Sequence, residues 1–173
     1  MQEGEKIFET GAGRLYYALY KDLKLDDLPK DYIFPNDKLR SWGTTDNLDL
    51  NSIIGNLSDM AVIRSGINDF AASFGGHILI KEPGIYVFKL VSDGSSALIL
   101  NGKLLVDNVA HNMILDTTNI VALDTGYYQL RLVYLHKDNT YMLLTEWKTP
   151  NTTRFTAIPT EVFGQMYISP PRQ

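Results

Sequence analysis

The chain has 173 residues, 45% of them hydrophobic and 21% charged, with a formal net charge of −4 and no cysteine. That length supports one domain with a substantial core, and the composition is that of a globular chain, not a disordered one. Disulfides, thiolate catalysis and Cys-ligated metals are excluded. No basic run approaches a phosphate-binding stripe, so nucleic acid is not an expected partner. No apolar run reaches bilayer-spanning length either, so no membrane insertion is expected.

Residues 1–6 have no apolar segment behind them, and no secretory leader is read there. Residues 1–10 are taken as an N-terminal extension. Arg14, Leu15, Tyr16, Tyr17, Ala18, Leu19 and Tyr20 then read as a first strand. From Lys21 to Thr45 the pattern breaks at Pro29, Pro35 and Gly43, which predicts irregular structure or short turns with Phe34 and Trp42 as anchors. A short helix is considered between Asp49 and Ile63, interrupted by Gly55.

The strand-rich part begins near Phe70. His77 to Ile80 reads as a strand ending at Glu82, Pro83 and Gly84. In the next run Tyr86, Phe88 and Leu90 share one face by the period of two. Asn101-Gly102 lies between Leu98 to Leu100 and Lys103 to Val106, and predicts a tight hairpin because both turn residues tolerate positive φ. Ile120 to Leu123 is a further strand. Beyond Thr125-Gly126, Tyr128, Leu130, Leu132 and Tyr134 face one way. Lys137, Asp138 and Asn139 mark a turn before the run from Tyr141 to Trp147. Ten tyrosines add to the β character, since Tyr suits pleated, half-buried surfaces. Many short strands without long helices predict an all-β antiparallel β-sandwich, with a barrel as the structural rival. Residues 164–173 read as a tail or linker.

Several of these stretches resemble the PA14 domain, the β-sandwich module named after a segment of anthrax protective antigen and found in fungal adhesins and some glycosidases. Gly13 to Tyr17 resembles the family's opening Gly-x-x-Tyr-Tyr strand. The run from Phe70 to Gly76 is similar to its aromatic-led strand ending in Gly, and Glu82 to Phe88 to its aGxYxF segment. Ser92-Asp93 with Leu98, Asn101 to Leu104 and Val106-Asp107-Asn108 follow its most recognisable stretch. Gly126-Tyr127-Tyr128, Tyr134 and Trp147 continue the match. The resemblance covers residues 11–163, which are taken as one PA14-like domain.

In sugar-binding members two consecutive Asp residues, joined by a cis peptide, hold Ca²⁺ against sugar hydroxyls. Asp93 matches the first of these, but the second position is Gly94, which has no side-chain oxygen. A hard cation needs several oxygen ligands, so no cofactor is expected and at most weak Ca²⁺ binding. The resemblance further places Asp138 and Asn139 in a second ligand-facing loop, His136 to Thr140, with Asn139 matching the contributing Asn. The expected ligand-binding residues are therefore Asp93, Asp138 and Asn139. For Asp93 a turn-capping role through local backbone N–H groups remains open beside ligand contact. Asp107-Asn108 reads as mainly structural. Trp42 and Tyr141 are candidate sugar-stacking rings, with a place in the core as the equal alternative for each. On the loop reading, Asp93→Ala and Asn139→Ala weaken binding with little change in thermal stability.

No enzyme is expected. His77, His111 and His136 have no metal-site spacing, no nucleophile elbow is present, and no carboxylate pair has a recognisable arrangement. Gly11-Ala12-Gly13 lacks the third Gly of a dinucleotide loop. Asn56-Leu57-Ser58 and Asn151-Thr152-Thr153 fit the N-glycosylation pattern. The expected function is a non-catalytic carbohydrate-binding module, extracellular or on a cell surface by the family resemblance. The alternative is a structural or protein-interaction module of a larger surface protein, toxin or enzyme.

Overall fold

The computed structural model describes residues 6–10, 14–50, 70–109, 113–136 and 141–168, with the backbone alone at 6–10 and 166–168. Among these described residues twelve strands form two antiparallel sheets: β1 (Lys6–Thr10), β2 (Leu15–Lys21), β3 (Leu39–Thr45), β4 (Phe70–Ile80), β5 (Gly84–Ser92), β6 (Ser95–Leu100), β7 (Lys103–Asn108), β8 (Leu115–Leu123), β9 (Gly126–His136), β10 (Leu143–Lys148), β11 (Thr156–Ala157) and β12 (Phe163–Ile168). The larger sheet runs β1-β12-β4-β9-β6-β7, with β2 and β3 branching from β4. The smaller runs β11-β10-β5-β8. The expected all-β sandwich is therefore the fold.

The period-two faces meet between the sheets. Tyr86, Phe88 and Leu90 of β5 pack in one cluster with Leu98 of β6, Leu130, Leu132 and Tyr134 of β9, and Trp147 of β10. Tyr86 and Trp147 rings lie 5.4 Å apart, and Phe88 and Trp147 rings 6.0 Å apart. Each fully buried side chain of this size contributes about 1.5–3 kcal/mol. The Asn101-Gly102 turn has φ of 48° and 74°, as the hairpin reading requires.

Four stretches differ from the sequence reading. Phe70 to Ile80 is one continuous strand through Gly75-Gly76, not an aromatic strand ending there. β4 pairs with β2 over Phe70 to Gly75 and with β12 over His77 and Ile78. Gly76 sits at that fork, where a Cβ would fall 2.8 Å from Leu15 Cδ2 and 3.1 Å from the Gly164 carbonyl, so any side chain there crowds both neighbouring strands. The region read as irregular contains β3, paired with β2 through Ala18↔Trp42 and Tyr16↔Thr44. The segments read as an extension and a tail supply β1 and β12, which pair with each other from Lys6↔Ile168 to Thr10↔Gly164. Apart from Asp49 and Leu50, the helix considered near residues 49–63 lies outside the described residues.

Between β2 and β3, residues 22–35 lie across the outer face of the larger sheet. Leu23 and Phe34, each 2% exposed, form a second apolar cluster with Ala71, Ala97, Val133 and Leu135. Phe34 is thus an anchor, as expected. Trp42 is not: it is 73% exposed.

Candidate functional site

The short link between β5 and β6 carries Asp93 and Gly94 to one end of the sandwich, beside the connection from β9 to β10. Two reciprocal hydrogen bonds join them: the Asp93 N–H donates to the Met142 carbonyl at 3.2 Å, and the Met142 N–H donates to Asp93 Oδ1 at 2.9 Å. Tyr134 Oη donates to the same Oδ1 at 2.5 Å, and His136 Nδ1 lies 3.0 Å from that Oη. A phenol has one proton. With it given to Asp93, Nδ1 of His136 must carry the proton that reaches Tyr134. The order is His136 to Tyr134 to Asp93.

This network is inside the protein. Tyr134 is fully buried and His136 is 2% exposed, while the Asp93 side chain retains 12% exposure. Burial raises the Tyr134 pKa above the ordinary phenol value, and the hydrogen bond and charge of Asp93 raise it further. Asp93 does cap a backbone N–H, but one 49 residues away and not within its own turn. The carboxylate is a clamp between loops.

Behind the clamp is a buried polar cluster. Ser92 Oγ donates to the Gly94 carbonyl at 2.7 Å and lies 2.7 Å from Ser96 Oγ. Asn108 Nδ2 faces the Leu90 carbonyl at 3.0 Å, Ser92 Oγ at 3.2 Å and the Leu115 carbonyl at 3.2 Å. Asn108 therefore ties β7 to β5 and to the start of β8. It is structural, as read from the sequence, whereas Asp107 is exposed.

Gly94 is set by space. A Cβ at this position would lie 2.3 Å from the Leu135 carbonyl oxygen and 3.0 Å from the Tyr134 ring. No carboxylate fits there on this backbone.

Asp138 and Asn139 lie outside the described residues, as do His111 and Asn56-Leu57-Ser58. The residues that bracket the second loop, His136 and Met142, are both bonded into the Asp93 network. The two candidate stacking rings are separated in role. Tyr141 is half-buried and packs edge-on against Phe70 at 6.2 Å, next to the core. Trp42 stands on the outer face of the larger sheet, across from Ala18. Asn151 is in an exposed turn and donates to the Glu82 carboxylate. Among the described residues no three His, Asp or Glu side chains gather as a metal site, and no helix is long and apolar enough to cross a membrane. The sequence placed Tyr134 on the inward face of β9 and His136 at the start of the second loop, but gave neither of them, nor Met142, a hydrogen-bonding role. Inward alternation does not distinguish a packed Tyr from a hydrogen-bonding one.

Two sheets packed face to face, with two loops clamped together at one end, define a β-sandwich domain. The PA14 domain family profile matches residues 51–161, and the chain belongs to that family. The fold is similar to the PA14 domain of the MpAFP antifreeze protein, with a TM-score of 0.72, 11% identity, and 95% and 96% of the two chains covered. It is also similar to a PA14 sugar-binding domain from an RTX adhesin, with a TM-score of 0.70, 13% identity, and 91% and 99% covered. The epithelial adhesin 9 A domain of Candida glabrata, solved with Galβ1-3GlcNAc, is similar with a TM-score of 0.65, 16% identity, and 92% and 90% covered. No curated protein sequence matches the chain.

Proposed function

We propose that this domain is a non-catalytic carbohydrate-binding module of an extracellular or cell-surface protein, and that it binds its glycan without calcium. The ligand sits across the β5–β6 and β9–β10 loops, with Asp93, Asp138 and Asn139 at the contact. The observation that carries this reading is the reciprocal bonding of Asp93 and Met142, which holds the two loops side by side. Asp and Asn offer the acceptors, and Asn the donor, that sugar hydroxyls need. Family membership and the adhesin relatives, one described as sugar-binding and one solved with a disaccharide, support the ligand class. The closed space at Gly94 supports calcium independence, because the second carboxylate has no room.

A glycan array read with and without a calcium chelator tests this. The expected result is binding that survives chelation and weakens about tenfold or more, about 1.4 kcal/mol, on Asn139→Ala and Asp93→Asn. Unchanged binding in both variants removes the loop assignment.

A protein-interaction role is the second reading, and one feature favours it. Ile85 and Ile120, 56% and 65% exposed, stand on the neighbouring strands β5 and β8 of the smaller sheet. A defined protein partner retained by the wild type and lost on Ile120→Ser would select this reading.

A further inference from the structure

We propose that a second, independent saccharide surface lies on the outer face of the larger sheet, built by Tyr16, Trp42, Gly75, Gln129, Arg131 and Asp31, and that it takes a neutral oligosaccharide. It shares the carbohydrate reading of the domain but no residue with the Asp93 loops.

Strand register builds the surface. Thr44, Tyr16, Gly75, Arg131 and Ile99 form one row across β3, β2, β4, β9 and β6. Alternation turns this row outward, since Leu15 and Tyr17, Phe74, and Leu130 and Leu132 belong to the core between the sheets. The next row carries Trp42, Ala18, Ser73 and Val133. Residues 22–35 cover Val133, Ala71, Ala97 and Leu135 but leave Tyr16 55% and Trp42 73% exposed. Trp42 is the most exposed large hydrophobic side chain among the described residues.

Between the rings and Arg131 the floor is low. Gly75 is the middle of the row, and a Cβ there would meet nothing within 4 Å. Two inter-strand steps of about 4.8 Å separate Tyr16 from Arg131, so the trough is roughly 10 Å across. At its far side a cavity of about 250 Å³ is lined by Asp31, Tyr32, Ile99, Gly102, Gln129 and Arg131. Its walls are fixed. Arg131 donates to the Tyr32 carbonyl, and Tyr32 holds a φ of 58°, a left-handed conformation uncommon for a non-glycine residue. The hairpin tip is pinned to β9 by Asn101 N–H to the Gln129 carbonyl at 2.8 Å and Gln129 N–H to Asn101 Oδ1 at 2.7 Å.

The chemistry of these groups selects the ligand. Exposed Trp and Tyr rings on strands offer flat apolar surface with little entropy to lose. Arg131 and Gln129 donate, and Asp31 and Gln129 accept, which matches hydroxyls that do both. Asp31 interacts electrostatically with Arg131, and this offsets the cation. An acidic sugar or a phosphate therefore meets a carboxylate beside Arg131, the only cation among the described residues that line the cavity, while a neutral polyol meets no penalty.

Tryptophan fluorescence reads this surface directly. The chain has two Trp residues, and Trp147 is only 5% exposed, so collisional quenching reports Trp42. The probes are cellohexaose, maltoheptaose and a linear N-acetyllactosamine hexasaccharide, with a hyaluronan hexasaccharide as the acidic comparator. At least one neutral probe is expected to protect Trp42 from acrylamide and to bind at least tenfold more tightly than hyaluronan. Calorimetry with that probe is expected to show at least a tenfold loss on Trp42→Ala and on Gly75→Leu. The second variant places a side chain in the trough at a position where the Cβ meets nothing within 4 Å. Preference for the acidic probe, or unchanged affinity in both variants, overturns the proposal. Binding lost on Asn139→Ala but kept in Trp42→Ala and Gly75→Leu overturns this surface and leaves the loop site standing. Absence of all glycan binding removes both.

Discussion

The Tyr134 hydroxyl donates a 2.5 Å hydrogen bond to the carboxylate of Asp93, from a residue that is fully buried. The same carboxylate oxygen accepts the Met142 N–H at 2.9 Å. Asp93 is thus both a candidate ligand contact and the fastening of two loops, and the two roles separate by substitution.

The sequence reading expected Asp93→Ala to leave stability nearly unchanged, but the clamp changes that expectation. Removing the acceptor strands a buried phenol and a backbone N–H, at a cost of about 1–3 kcal/mol. Asp93→Asn keeps an acceptor oxygen and is expected to lose less than half as much. Urea denaturation of the two variants checks this, and an Asp93→Ala midpoint equal to wild type refutes the clamp.

Alkaline titration probes Tyr134. Burial, then Asp93, hold its pKa above the ordinary value of 10.0 in the folded state. The folded protein therefore keeps a proton that the unfolded chain releases. The corresponding stability is present in full below pH 10 and is lost as pH rises above it. Tyr134→Phe is expected to be less stable than wild type at pH 8, with the gap narrowing by pH 11.5. A gap that stays constant between those pH values shows that the phenol does not titrate on unfolding.

Gly94 tolerates no side chain. Gly94→Ala places a Cβ 2.3 Å from the Leu135 carbonyl, and overpacking of this kind costs about 1–3 kcal/mol or more. Gly94→Asp adds a carboxylate to the same clash, so it is expected to melt lower and gain no calcium response. Tight binding would raise the melting temperature by linkage. Wild type is likewise expected to show no large rise at millimolar Ca²⁺. A calcium-stabilised Gly94→Asp protein contradicts the steric argument.

Asn108 is a test of the buried polar cluster. Its amide nitrogen serves the Leu90 and Leu115 carbonyls and Ser92 Oγ. Asn108→Ala is expected to cost about 1–3 kcal/mol by leaving buried acceptors unmade. Asn108→Asp turns a donor into an acceptor among acceptors, so it is expected to be worse at pH 7 and partly restored at pH 4, where the carboxyl protonates. Thermal melts at the two pH values decide it. An Asp variant as stable as wild type at pH 7 shows that the amide donates to none of the three.

The sequence by itself determined what depends on local periodicity and turn chemistry. Tyr86, Phe88 and Leu90 alternate inward, as do Tyr128 to Tyr134, because side chains on a strand project to opposite faces. Asn101-Gly102 makes the tight hairpin because both residues accept positive φ. The order of these pieces identified the family. β3 escaped notice because it is an edge strand whose large side chain, Trp42, points to solvent and is followed by Gly43, so it carries no apolar alternation. β1 and β12 escaped because their partners are remote in sequence: they pair with each other across nearly the whole chain, and β12 pairs also with β4. Nothing local marks that.

Only the tertiary structure decided the sites. Asp93 reads as a turn residue from its neighbours, and its partners Tyr134 and Met142 lie 41 and 49 residues away. Gly94 reads as a missing ligand, but its reason is the Leu135 carbonyl on another strand. The Tyr16, Gly75 and Arg131 row comes from three strands whose register is set by hydrogen bonds between them. Spacing along a chain encodes which face a side chain takes. Which other strand's side chains share that face follows from non-local pairing, and that is fixed only when the sheet forms.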